Sequence, residues 1–194
     1  LHSALIAGNI KPEDEVIVPT WSMSATATSV LMAGAKPVFC DIEPDCFCID
    51  AHKLKSLITK KTKAVIAVNL FGLPAALNEI REICSNYSLL MIEDNAQCPG
   101  GILNSKSTGT YGDISIFSLN RHKTIQCGEG GMAITNNEHY GHRLQMVRNH
   151  GEAVVGPAKY DNITNIAGYN YRLTELQAAV GIEQLNKLDT LNNK

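Results

Sequence analysis

Short apolar runs rich in β-branched residues recur along the chain, and a stretch of helical spacing separates most of them from the next. That alternation leaves few architectures open. Strands joined through a helix lie parallel, and the crossover is right-handed in nearly all known cases, so each helix packs its apolar face on the sheet. The expected fold is therefore α/β, a mostly parallel sheet with helices on both faces. Strands are predicted near 15–18, 37–41, 64–69, 89–93, 114–118 and 132–135. Helices are predicted near 1–7, 22–33, 51–58, 75–86, 138–150 and 174–191, with Gly34, Gly72 and Gly151 as stops or turns.

A chain of 194 residues, 44% hydrophobic and 19% charged, has enough apolar surface for one sizeable core without staples. The net charge of -2 and the lack of a basic stripe give a nucleic-acid or anionic-membrane partner no electrostatic support, which leaves small-molecule chemistry. Apolar runs such as 88–92 fall far short of the roughly 20 residues a membrane helix needs. No secretion signal is recognisable. Cys40, Cys46, Cys48, Cys84, Cys98 and Cys127 sit singly and read as reduced thiols of a cytoplasmic protein. The first three lack paired C-x-x-C spacing, so structural thiols are expected in place of a metal cluster. The glycosylation-like triplets at 86–88 and 162–164 have no secretory context.

Leu176, Ala179, Val180, Ile182 and Leu185 give the predicted 174–191 helix an apolar face that packs on this domain or on a partner. Spacing alone favours packing within the chain at least as well. The polar stretch 152–167, with Gly156 and Pro157, is the candidate for a mobile or partner-reaching segment. The chain opens at Leu1 within a helical pattern and closes at Lys194 just after another, and reads as a fragment.

In parallel α/β folds ligands gather beyond the carboxyl ends of the strands, and three reactive segments fall there. In 92–97 an apolar strand runs into Glu93 and Asp94; in 115–123 a strand runs into the basic turn Arg121-His122-Lys123; Gly128, Gly130 and Gly131 let backbone pass close to a ligand. A strand-end carboxylate can keep a pyridine nitrogen protonated, and a lysine can hold an aldehyde as an imine. Asp94 and Lys123 suit those two tasks. As nucleophile and proton carrier the lysine must give up its proton, helped by desolvation or by cations such as Arg121 or protonated His122. A helix-capping Asp94 and a solvated Lys123 fit the same spacing. Gly128-x-Gly130-x-x-Ala133 imitates a dinucleotide fingerprint, but it precedes a strand and opens no helix. Ser118, Asn120, His122 and Lys123 lie in neither a G-x-S-x-G elbow nor an H-E-x-x-H helix, which removes the common hydrolases.

Seven segments in order then make a specific pattern: 14–19, 34–39, 92–97, Phe117-Ser118 with Lys123, 128–131, Arg148-Asn149-His150-Gly151 and Gly168-Tyr169-Asn170-Tyr171-Arg172. With them the chain resembles the DegT/DnrJ/EryC1/StrS family of sugar aminotransferases, in the fold-type I group of pyridoxal-phosphate (PLP) enzymes. The resemblance spans nearly the whole chain. It implies that residues 1–194 form the PLP-binding large domain, with a phosphate loop expected just before Leu1 and the smaller C-terminal domain outside the chain. It implies Lys123 as the Schiff-base lysine, Asp94 on the pyridine nitrogen, Gln97 near the phenolic oxygen and Ser118 on the phosphate. Asn170, with Arg172 beside it, would reach the phosphate of the neighbouring subunit's cofactor, so the active site would need a homodimer. Glu129 is expected to shape its turn.

Met23 stands where the family stacks an aromatic ring on the cofactor, a place a thioether can also cover. Trp21 is read as a core residue. His122, and Asn69 where many members carry histidine, are differences expected to bear on substrate. The implied activity is transfer of an amino group from glutamate to a keto-sugar, expected to be nucleotide-linked, for polysaccharide or glycoconjugate synthesis. Two rivals remain: the family's sugar dehydratases, which carry histidine at the lysine position, and a non-catalytic interaction module that keeps the fold.

Overall fold

The computed structural model describes residues 1–152 and 166–193. Most of the polar 152–167 stretch and the triplet at 162–164 lie outside the described residues. Six strands form one sheet in the order β2-β1-β3-β4-β7-β8: β1 Glu15–Pro19, β2 Lys36–Cys40, β3 Thr62–Val68, β4 Leu90–Asp94, β7 Ile114–Ser118 and β8 Gly131–Ile134. The first five run parallel, and β8 returns antiparallel beside β7. Every predicted strand is present, shifted by a residue or two at its ends.

The central strands carry continuous apolar runs, Val16–Val18, Ala64–Val68 and Leu90–Ile92, because both faces are covered. All five residues of β1 and of β4 are buried. The chain steps from β1 to β2 through α2 (Ala25–Met32) in one direction, and from β3 to β4 through α4 (Leu77–Asn86) in the other. Right-handed crossovers taken in opposite directions put α2 and α4 on opposite faces. α1 (His2–Ala7) packs against α2 and against α5 (Glu138–Arg148), which completes the layer on the α2 side. Leu5, Ile17, Ile66, Leu77, Ile80, Met91 and Ile92 are fully buried between sheet and helices.

Three helices differ from the sequence expectation. The predicted 22–33 helix begins at Ala25, because residues 20–24 form a turn whose Ser22 and Thr26 hydroxyls lie 2.8 Å apart. The 51–58 helix tightens after α3 (Ala51–Leu54) into a 3₁₀ turn, Lys55–Leu57. The 174–191 helix breaks into α6 (Glu175–Leu185) and α7 (Leu188–Asn192). Leu188 and Leu191 of α7 pack on Leu119, Ile125 and Cys127, whereas Leu176, Val180, Ile182 and Leu185 of α6 stay exposed among the described residues. The apolar face of α6 is therefore not covered by the described part of the chain. A two-residue hairpin, β5 (Ile102–Leu103) and β6 (Lys106–Ser107), was not predicted. Its turn residues Asn104 and Ser105 both have positive φ, a role that sequence signals most strongly with glycine.

Candidate active site

β4 ends in adjacent carboxylates that face opposite ways, as side chains on a strand must. Glu93 points into the protein and is fully buried. Oε1 accepts from Asn69 Nδ2 (2.9 Å) and the Gly109 N–H (2.6 Å), and Oε2 from the Tyr111 N–H (2.9 Å), the Gly112 N–H (3.2 Å) and the Ser115 hydroxyl (3.3 Å). These donors compensate the lost hydration of a buried charge and tie the 109–112 loop to β4. The loop can come this close only with glycine at 112. A Cβ there would lie 2.8 Å from the Ile114 carbonyl oxygen and 2.9 Å from both Glu93 Cβ and the Glu93 nitrogen. Gly112→Ala is expected to cost about 1–3 kcal/mol of stability as an overpacked core substitution. A lower urea midpoint at unchanged m-value would measure it.

Asn69, expected to bear on substrate, belongs to this buried network. Its Nδ2 serves both Glu93 Oε1 and Asn95 Oδ1 (2.8 Å), its Oδ1 accepts the Ala75 N–H (3.0 Å), and its backbone N–H bonds to the Asp94 carbonyl (3.0 Å). Fully buried and fully partnered, Asn69 has no group left for a substrate. The carboxylate fixes the orientation of both amides: Asn69 must turn its donor to Glu93, so Asn95 must offer its oxygen. The Asn95 Nδ2 is left buried and without a partner among the described residues.

Asp94 turns the other way, at the carboxyl edge of the sheet. It is 6% exposed. Oδ1 accepts the Ala96 N–H at 3.0 Å, and no hydrogen bond to Oδ2 is found among the described residues. Burial pushes the carboxyl above the ordinary carboxylate range, against the Ala96 hydrogen bond and the positive charge of Lys123.

Lys123 sits in the loop between β7 and β8. The Leu119 N–H bonds to the Gly130 carbonyl (2.9 Å), the Arg121 N–H to Gly128 (2.8 Å) and the Lys123 N–H to Asn120 (2.9 Å). Gly128 has φ +86, a backbone conformation suited to glycine. Glu129 serves this loop as expected: its carboxylate accepts Asn120 Nδ2 (2.8 Å) and its carbonyl accepts Gln177 Nε2 (2.9 Å) from α6. His122 Nε2 accepts from Arg121 Nε at 3.1 Å, so the ring is turned to Arg121.

Gln97 follows Asp94 on the same turn. Its Oε1 accepts the Phe71 N–H (3.1 Å), and no acceptor for its NH₂ is found among the described residues. Ser118 ends β7, two residues past Ile116, the residue paired with Asp94. Its hydroxyl oxygen accepts the Asn120 N–H at 3.3 Å, and no acceptor for its proton is found among the described residues. Met23 lies on the turn before α2, 67% exposed. Trp21 is not a core residue: it is 56% exposed, with its ring 6.4 Å from that of Phe47. Asn170 is exposed and bridges Asn149, with no hydrogen bond to Asp94, Gln97, Ser118 or Lys123 among the described residues.

The profile of the DegT/DnrJ/EryC1/StrS aminotransferase family matches residues 1–194. The chain belongs to that family. It is 39% identical to GDP-perosamine synthase of Vibrio cholerae over 191 residues, 98% of this chain and 51% of that protein. The structure of the aminotransferase from Psychrobacter cryohalolentis superimposes with a TM-score of 0.90 at 32% identity, covering 97% of this chain and 50% of the other. NtdA of Bacillus subtilis, solved with bound cofactor PMP, gives a TM-score of 0.87 at 36% identity over 97% of this chain and 42% of the other. The chain spans about half the length of the curated relatives it matches. These likenesses establish the fold as that of the family's PLP-dependent aminotransferases. No helix among the described residues is long and apolar enough to cross a membrane.

Proposed function

We propose that the protein containing this chain is a PLP-dependent aminotransferase that moves an amino group from glutamate to a nucleotide-linked keto-sugar. The observation that carries this reading is the buried Asp94 carboxylate at the carboxyl edge of the sheet, with one oxygen that no donor takes among the described residues. A buried carboxylate with an uncommitted oxygen suits a cationic ring nitrogen, and the β7–β8 loop supplies Lys123 as the amine for the aldehyde. The donor set fits the cofactor group by group. Asp94 would hold the proton on the pyridine nitrogen, Gln97 would donate its NH₂ to the phenolic oxygen, Ser118 would donate to the phosphate and Met23 would cover the ring. Bound there, pyridoxal phosphate supplies an electron sink for the pair released when the donor's C–H bond breaks.

Lys123 would hold the cofactor through its Nζ and, when free, would carry the proton between the donor and acceptor carbons. Residues 1–194 act as the cofactor-binding large domain. Asn170, which does not reach the Asp94–Lys123 site of its own chain, reaches the phosphate held by a second copy in a cytoplasmic homodimer. GDP is the favoured carrier, because GDP-perosamine synthases recur among the relatives. The dehydratase reading would require histidine in place of Lys123, and His122 beside it is instead turned to Arg121.

The test is borohydride reduction of the complete dimeric protein with pyridoxal phosphate, then peptide mapping and an assay with glutamate and a GDP-linked keto-sugar. A reduced adduct on Lys123 together with an aminated GDP-sugar is expected. Loss of the sugar hydroxyl without nitrogen transfer would favour the dehydratase, and no adduct would favour the non-catalytic module.

A further inference from the structure

One buried ring has no part in the chemistry above. His2 opens α1 and is 8% exposed. Its ring stands edge-on to Tyr169 (centroids 5.0 Å apart, planes at 73°) and to Tyr171 (6.2 Å, 78°). The two tyrosine rings stack on each other at 5.0 Å and 7°, and His2 Nδ1 lies 3.2 Å from the Tyr171 hydroxyl. Edge-to-face contacts of this kind carry an attraction beyond simple burial. Burial also lowers the pKa of His2, so the ring packs as a neutral aromatic.

Between the two tyrosines stands Asn170. Its backbone is tied to the end of α5: the Tyr169 N–H bonds to the Val147 carbonyl (2.8 Å), the Tyr171 N–H to Arg148 (3.0 Å), and the His150 N–H to the Tyr169 carbonyl (3.0 Å). Arg172 Nη1 adds a bond to Asn149 Oδ1 at 2.8 Å. Side chains alternate along such a bridged segment, so two tyrosines stacked on one side place the side chain between them on the other. The backbone bonds set where the segment runs. The grip on the tyrosines sets which way Asn170 is turned.

We propose that His2 is a positioning residue for the phosphate of the cofactor in the adjoining subunit, acting by holding Tyr169 and Tyr171 so that Asn170 is aimed outward. This rests on the reading of Asn170 given above. Positioning groups lose effect steeply when a partner shifts by about 1 Å, so freeing the tyrosines should weaken what Asn170 holds without touching the aldehyde end of the site.

The test is absorbance titration of the complete apo dimer with pyridoxal phosphate and, in parallel, with pyridoxal, which lacks the phosphate. Asn170→Ala is expected to weaken pyridoxal phosphate about 10-fold, the loss of one hydrogen bond to a charged group, and to leave pyridoxal within about two-fold. His2→Ala should show the same selective loss, about five-fold to 10-fold, and the double variant should bind no worse than Asn170→Ala alone. Equal loss of both ligands in His2→Ala, or loss of neither, while Asn170→Ala stays selective, overturns the role of His2. If Asn170→Ala itself is not selective, the reading of Asn170 fails first and takes the inference with it. Should His2→Ala not assemble, Tyr171→Ala at its half-exposed position carries the test: a selective loss supports the proposal and an unchanged ratio overturns it.

Discussion

Lys123→Ala is expected to abolish the borohydride-reducible link to the cofactor and to lower amine transfer by about 10⁴-fold or more, while the unfolding midpoint stays almost unchanged. The catalytic figure is the upper range of what a positioned proton-transfer group contributes, taken because the same amine also holds the aldehyde. The stability expectation follows from the loop. Its shape is fixed by backbone bonds from Leu119, Arg121, Lys123 and Cys127, and its underside by Leu119, Ile125 and Cys127 packed on α7. Among the described residues no hydrogen bond or ion pair engages the Lys123 amine. Truncating it leaves the loop's supports in place, so the change should stay within about 0.5 kcal/mol. Absorbance, single-turnover transfer from glutamate and thermal melting of one preparation separate the two effects. A variant that still transfers the amine would remove Lys123 from its role, and one that melts much earlier would show that the lysine supports the fold.

The contrast between Glu93 and Asp94 shows where sequence reading stops. Both stand at the end of an apolar run, and period-2 alternation requires that they face apart, yet it does not say which one faces the ligand. That is decided by the 109–112 loop, which brings three N–H groups to Glu93 from a part of the chain with no recognisable signal beyond its glycines. Asn69 fails as a substrate residue for the same reason: its partners at Glu93, Asn95 and Ala75 meet it only in the folded chain. The six main strands were legible because burial on both faces makes them continuous apolar runs, a signal that survives errors of a residue or two at each end. The Ile102–Leu103 hairpin was not, because two-residue strands carry no periodicity. Trp21 was misplaced by composition, which says that tryptophan is usually covered; here it stands with Phe47 and Phe71 in a tilted exposed row beyond the strand ends. The α6 face was patterned as buried and is bare among the described residues. Periodicity tells which side of a helix is apolar, and leaves open what covers it.

Asp94→Asn is expected to change activity and stability in opposite directions. Amine transfer should fall about 10²–10³-fold, the usual loss when one preorganised electrostatic partner of a developing charge is removed. The apo protein, however, should become more stable near neutral pH. Burial raises the Asp94 carboxyl above its ordinary 3.8, so ionising it costs more in the fold than in the unfolded chain. A group whose folded value is raised contributes stability that is present in full below the unfolded value and is lost as the pH climbs through the folded one. Above that window the wild-type fold carries a buried charge whose Oδ2 finds no donor among the described residues. Asparagine removes the charge and keeps an oxygen for the Ala96 N–H. Melting of apo wild type and variant at pH 3, 5 and 8 should therefore show little difference at the lowest pH and a gain for the variant at the highest. Saturation with pyridoxal phosphate should cancel or reverse that gain, since a cationic ring nitrogen gives the wild-type carboxylate the partner it lacks. A variant less stable than wild type at every pH would mean that the Asp94 charge is already compensated within the apo fold, and the case for a cation at its uncommitted oxygen would fall.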